Sequence, residues 1–159
     1  MSSASKEDAI AAMKHGLQEV ERLATAVQGG DRPARESSAR DILAHMAFWE
    51  ARVLDVMRLV PEGREDELLH PEDEAEIDAW NERVQRENQG TSWGMALRYW
   101  SDLRRTTIKE LAAMEPSVLS RGYRGRDFTV IEQIAADTYE HDEEHLPQLR
   151  ALAGEVARG

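Results

Sequence analysis

Ile10, Met13, Leu17, Val20, Ala24 and Val27 follow one another at steps of three and four. On a helix that turns about 100° per residue, such steps return each side chain to one face. Residues from about Ser5 to Val27 therefore predict an amphipathic helix, ended by "GGDRP" (Gly29 to Pro33). A second stripe, Ile42, Met46, Trp49, Val53, Val56 and Val60, predicts a helix opening at Ser37 or Ser38, with Asp41 as a cap partner, and stopping at Pro61 and Gly63. A third starts after Ser92, carries Trp93, Leu97, Trp100, Thr107, Leu111 and Met114, and closes at Pro116. The fourth opens with a capping box, Thr129 and Glu132, and continues through Ile131, Ile134, Thr138, Leu149, Leu152 and Val156. Pro147 removes a backbone hydrogen bond inside it and predicts a kink there.

No stretch alternates with period two for long enough to suggest a strand. Each amphipathic helix has to bury one face, so the pattern predicts an all-α four-helix bundle. A long connection, Pro61 to Gly90, joins the second and third main helices. It begins acidic and then carries its own short helix, with Ile77, Trp80 and Val84 on one side. Connections of this length more often have a role than none. At 159 residues, the chain predicts a single domain over residues 1–159.

Net charge is -11, which disfavours nucleic acid and anionic lipid as partners. The absence of cysteine excludes a thiol nucleophile, a disulfide framework and a cysteine-ligated metal. "MSSASKEDAI" lacks the pattern of a signal peptide, and no apolar run reaches the roughly 20 residues that span a bilayer. The expectation is a cytoplasmic protein without membrane contact.

The five histidines differ in where the helical wheel places them. Measured from Ile134, His141 and His145 fall about 20° to either side of the apolar stripe's centre. In "YEHDEEH" (Tyr139 to His145) the imidazoles thus point inward. Glu143 lies opposite as a surface charge, while Asp137, Asp142 and Glu144 flank the stripe, as surface charges or as acceptors for an imidazole N–H. His45 sits on the inward flank of the second helix, beside Trp49. His15 falls off its seam and His70 lies in the acidic connection, so both are expected to be exposed and inert.

Two inward histidines four residues apart can bind one ion, and a third from a facing helix completes a set of three nitrogens. Three ligands and an open position suit a catalytic metal, whereas a structural zinc site is closed by four. The alternative is three core histidines satisfied by other hydrogen bonds. "HDEEH" also fits the inverted zinc-peptidase pattern H-x-x-E-H, but those enzymes take a third ligand from well downstream and the chain after His145 is short. H-E-x-x-H fails because Asp142 stands at the glutamate position.

"SARDILAHMAFWEARV" (Ser38 to Val53), "AWNERVQRENQGTSW" (Ala79 to Trp93) and "DTYEHDEEHLPQLRAL" (Asp137 to Leu152) together resemble the DinB-like superfamily of bacterial four-helix bundles. The resemblance implies a divalent metal (nickel, zinc or iron) held by His45, His141 and His145, the trio that the wheel selects. It also implies a small-molecule substrate and allows a homodimer. Several branches are thiol-dependent transferases or isomerases using mycothiol, bacillithiol or glutathione. The ClbS/DfsB-like branch hydrolyses a reactive metabolite, and "AWNERV…SW" leans that way. The first reading is thus a metal-dependent enzyme using a low-molecular-weight thiol as cosubstrate, and the second a protective hydrolase or non-catalytic binding protein. Which residues are catalytic is left open. "RGYRGR" (Arg121 to Arg126) is the one concentrated basic stretch. It is expected to be a solvated loop, or, if it borders the cleft, a seat for a carboxylate. Tyr139 and Trp49 are expected to flank the site as packing residues.

Overall fold

The computed structural model describes residues 5–27 and 32–155. The predicted break at Gly29 to Asp31 and the last stripe position, Val156, lie outside them. The described helices are α1 (Lys6–Thr25), α2 (Arg32–Leu59), α3 (Glu74–Glu87), α4 (Trp93–Ala113), α5 (Pro116–Leu119), α6 (Val130–Asp137) and α7 (Tyr139–Leu152). The fold is all-α. Helix α2 packs against α4, α1 against α4 and α7, and α2 against α6 and α7, so that α6 and α7 together supply the fourth helix of the bundle. Helix α3, from the long connection, lies along α2. The described residues contain no strand, only an isolated bridge between Gly122 and Thr129.

Side-chain oxygens cap most of these helices. Ser5 accepts from the Asp8 amide, Asp73 from Glu76 and Ser92 from Met95. Thr129 and Glu132 form both halves of the expected capping box. Each cap contributes about 1 kcal/mol by satisfying an amide that has no partner in the first turn.

Helix α2 begins at Arg32, earlier than Ser37 or Ser38. Pro33 lies in its first turn, where a missing N–H costs no hydrogen bond. Ser37 therefore bonds back to the Pro33 carbonyl at 3.0 Å. Asp41 caps nothing and instead pairs with Arg40 at 3.0 Å. The end of α2 is as expected: it tightens into a 3-10 turn at Val60–Glu62, and Gly63 follows at φ 69°, a conformation that favours glycine.

The largest departure is in the fourth helix. It is interrupted at Thr138, whose backbone stands at φ -119° and ψ -100° and whose hydroxyl turns back to the Ile134 carbonyl at 2.6 Å. Helix α7 then runs on through Pro147. A wheel drawn from Ile134 assumes one unbroken helix, so its phase fails beyond Thr138. The buried face of α7 is Asp142, Leu146 and Leu149, and His141 and His145 are half-buried beside it.

The core has two apolar clusters. One gathers Met13, Val53, Val56, Leu111 and Ile134, and the other Val20, Leu43, Met46, Trp100 and Leu149. Between them lies a charged layer. Arg104 is 0% exposed, and all five of its N–H groups are used, two on Glu50, two on Asp142 and one on the Met13 carbonyl, at 2.7 to 3.1 Å. One guanidinium thus ties α1, α2, α4 and α7. Asp142, expected on the flank, is core because an arginine meets it there. Burial raises the Asp142 and Glu50 carboxyls above their ordinary range, against the pull of Arg104. Gly16 permits the approach, since a Cβ at that position would stand 2.1 Å from an Asp142 oxygen.

Candidate metal centre

Helix α2 presents His45, and α7 presents His141 and His145 one turn apart. The His141 Nε2 lies 3.0 Å from the Nε2 of His45 and 3.0 Å from that of His145. One nitrogen from each ring lies within 4.8 Å of the other two. The ring planes cross at 62° to 85°, as they do when three rings aim at a point instead of stacking.

The opposite side of two rings is anchored. Asn81, on α3, places its side-chain oxygen 3.1 Å from His45 Nδ1 and 3.0 Å from Trp49 Nε1. An indole nitrogen only donates, so the atom facing it is the amide oxygen. The same oxygen then requires an N–H on His45 Nδ1, which leaves His45 Nε2 with a free lone pair turned toward the other rings. His145 Nδ1 lies 2.8 Å from the Gln148 side-chain oxygen, which imposes the same tautomer. Burial, then the neighbouring His145, lowers the pKa of His45 to about 4 and that of His141 to about 3. Both are neutral near pH 7, the form that ligates.

This donor set fits a metal. Three nitrogens bound to one ion at about 2.0–2.1 Å stand roughly 3.0–3.4 Å apart, depending on bond angle. Lone pairs facing each other at 3.0 Å repel unless a proton or a cation lies between them. The anchors are amide oxygens, not Asp137, Asp142 or Glu144. Glu144 and Glu143 are exposed, and Asp137 takes a hydrogen bond from Gln133 at 2.6 Å. Burial pushes the Asp137 carboxyl up to about 6.

Two cavities meet at the histidines, with His45, Asn81 and His145 bordering both. One, of about 390 Å³, opens beside Asp41, Asp78 and Glu82. The other, of about 500 Å³, also exposes His141, with Trp49, Arg52 and Ile77 in its walls. His15 is exposed, as expected. His70 is not: it is half-buried, lines the larger cavity and sits 2.7 Å from the Tyr123 hydroxyl. The phenol is buried, which pushes its pKa up to about 12, so it stays protonated beside the imidazole. The loop Arg121 to Arg126 borders neither cavity. Arg121 reaches the Val60 carbonyl and Arg124 the Leu68 carbonyl, so this loop clamps the connection after α2. Tyr139 packs against the first apolar cluster, while Trp49 supports the site through Asn81.

Sequence reasoning missed Arg104, Glu50, Asn81 and Gln148. The signal for the ionic layer was present: Trp100, Arg104, Thr107 and Leu111 keep steps of four, three and four, with a cation at a seam position. Glu50 falls in the same way between Met46 and Val53. Asn81 carries no such signal, since its role depends on how α3 lies on α2.

No curated protein and no solved structure matches the chain. The family model described as the DinB superfamily matches residues 8–149, from α1 into α7 and including all three histidines. With that match spanning most of its length, the chain belongs to the DinB superfamily.

Proposed function

We propose that His45, His141 and His145 hold one divalent ion (nickel, zinc or iron), and that the chain is a metal-dependent enzyme acting on a small molecule with a low-molecular-weight thiol as cosubstrate. One observation carries the reading: three imidazole nitrogens converge, and Asn81 aims the lone pair of His45 at their meeting point. A bound divalent ion supplies a lowered pKa to a water or thiol at its open position.

The chain's own residues do the rest. Asn81 and Gln148 hold two rings in the ligating tautomer. Arg104 fixes Asp142, and so the stretch of α7 on which His141 and His145 stand. The thiol has to arrive as a separate molecule because the chain has no cysteine. The larger cavity, about 500 Å³ in volume, is of a size for such a molecule. A second reading, hydrolysis or sequestration of a reactive metabolite at the same histidines, is favoured by the second cavity, which gives water its own access.

Elemental analysis of protein purified without an affinity tag tests the site. Near-stoichiometric divalent metal is expected, lost in His45→Ala, His141→Ala or His145→Ala and retained in His15→Ala and His70→Ala. No metal in the parent, or equal loss from all five variants, would refute it. Cobalt-substituted protein should then develop a thiolate-to-metal absorption band with mycothiol, bacillithiol or glutathione. If the band is absent while a reactive electrophile is hydrolysed, the second reading replaces the first.

A further inference from the structure

Arg104 and Arg52 differ in how their charges are met. Arg104 is enclosed between two carboxylates. Arg52 is half-buried in the wall of the 500 Å³ cavity that exposes all three histidines. Its guanidinium lies over the indoles of Trp80 and Trp49, 4.7 and 5.6 Å from the ring centroids, and donates to the Leu69 carbonyl. Among the described residues no carboxylate comes within the 4.0 Å of a salt bridge to it. Asp137, in the same cavity, attracts it from farther off, but that carboxyl is held by Gln133. Burial lowers the Arg52 pKa, against the pull of Asp137 and Asp55.

A guanidinium lying over two indoles is restrained in position, and its fork suits an oxyanion arriving from solution. The same cavity offers an apolar wall in Val56, Leu68 and Ile77. It also holds acidic groups, Asp137 and Glu144, beside a single guanidinium, so a ligand with one negative charge meets less repulsion there than a phosphate with two. We infer that this cavity binds an organic carboxylate, its head on Arg52, its apolar body against Trp49 and Ile77, and its reactive end toward the three histidines. The reactive end rests on the function proposed above, and the carboxylate seat does not. The carboxylate belongs either to the thiol cosubstrate or to the second substrate.

The test is calorimetric titration of the metal-free and the metal-loaded protein with hydrocinnamate and its neutral analogue hydrocinnamide. The acid should bind at least about tenfold more tightly, the scale of a charge-assisted bidentate contact. Arg52→Met, which keeps the stem over the indoles, should abolish the preference, and Arg52→Lys, which keeps charge without the fork, should retain part of it. Arg126→Ala, outside the cavity, should match the parent. Equal binding of acid and amide, or a preference that survives in both Arg52 variants, overturns the inference. Should Arg52→Met fail to fold, Arg52→Gln takes its place: loss of the preference is expected, and a preference equal to the parent's overturns the inference. A preference seen in protein that takes up no metal would stand while the metal reading falls. With loaded protein, hydrocinnamate binding beside mercaptoethanol without competition assigns the carboxylate to the second substrate. Mercaptocarboxylates binding more tightly than hydrocinnamate and mercaptoethanol together predict would assign it to the thiol.

Discussion

Arg104→Met is the substitution that most directly probes how this bundle holds its site. Methionine fills most of the stem's volume over Trp100, whose ring lies 4.8 Å from the guanidinium carbon. It returns none of the five hydrogen bonds. Glu50 and Asp142, 1% and 2% exposed, would be left facing one another without a cation. Removing one partner from a buried pair costs about 3–5 kcal/mol, because the remaining charge stays desolvated. In a chain of this length that corresponds to a melting temperature lower by roughly 6–20 °C. The loss should also depend on pH in a fixed direction. Both carboxyls titrate above their ordinary values in the folded state, so the native form holds protons that the unfolded form has released. Stability then falls as pH rises through that window, and losing Arg104 widens the window. The deficit against the parent should be larger near about pH 8 than near about pH 5, read by urea denaturation followed by far-ultraviolet circular dichroism. Adding Glu50→Gln and Asp142→Asn should recover much of it, as replacing a whole ionic cluster costs less than breaking it. A deficit under about 1 kcal/mol, the same at both pH values, would show that Arg104 does not hold the layer together.

Gly16→Ala should destabilise by about 1–3 kcal/mol despite alanine's better helix propensity, because its Cβ would stand 2.1 Å from Asp142 and 3.0 Å from Arg104. A thermal melt equal to or above the parent's would contradict this. Asn81→Leu should leave the helix signal unchanged and weaken metal affinity about 10- to 100-fold by releasing the His45 tautomer, measured by competition with a chelator. Chelation of loaded protein should lower the melting temperature by the binding linkage alone while the fold persists, since two apolar clusters and the ionic layer stand without the ion. Loss of the far-ultraviolet signal at room temperature would mean that the ion is structural.

Periodicity located the stripes of the four bundle helices and of the helix inside the connection, because burial of one helical face recurs every three to four residues wherever the partner lies. The T-x-x-E spacing located the capping box at Thr129. The wheel also picked out His45, His141 and His145 among the five histidines, although the phase it used for the last two does not continue past Thr138. Tertiary structure decided their setting. A wheel presumes unbroken phase, and the Thr138 hydroxyl, turned back to Ile134, ends that phase, so Asp142 enters the core and the histidines move to its edge. Likewise Arg104 reads only as an unpartnered cation at a seam position until Glu50 and Asp142 meet it from two other helices. Asn81 reads as a polar residue on a half-exposed helix until α3 lies on α2 and places its oxygen between an indole and an imidazole. Local pattern reports which face of a helix is buried. Which polar groups meet on that face depends on the docking of segments distant in the chain, and only the folded structure contains it.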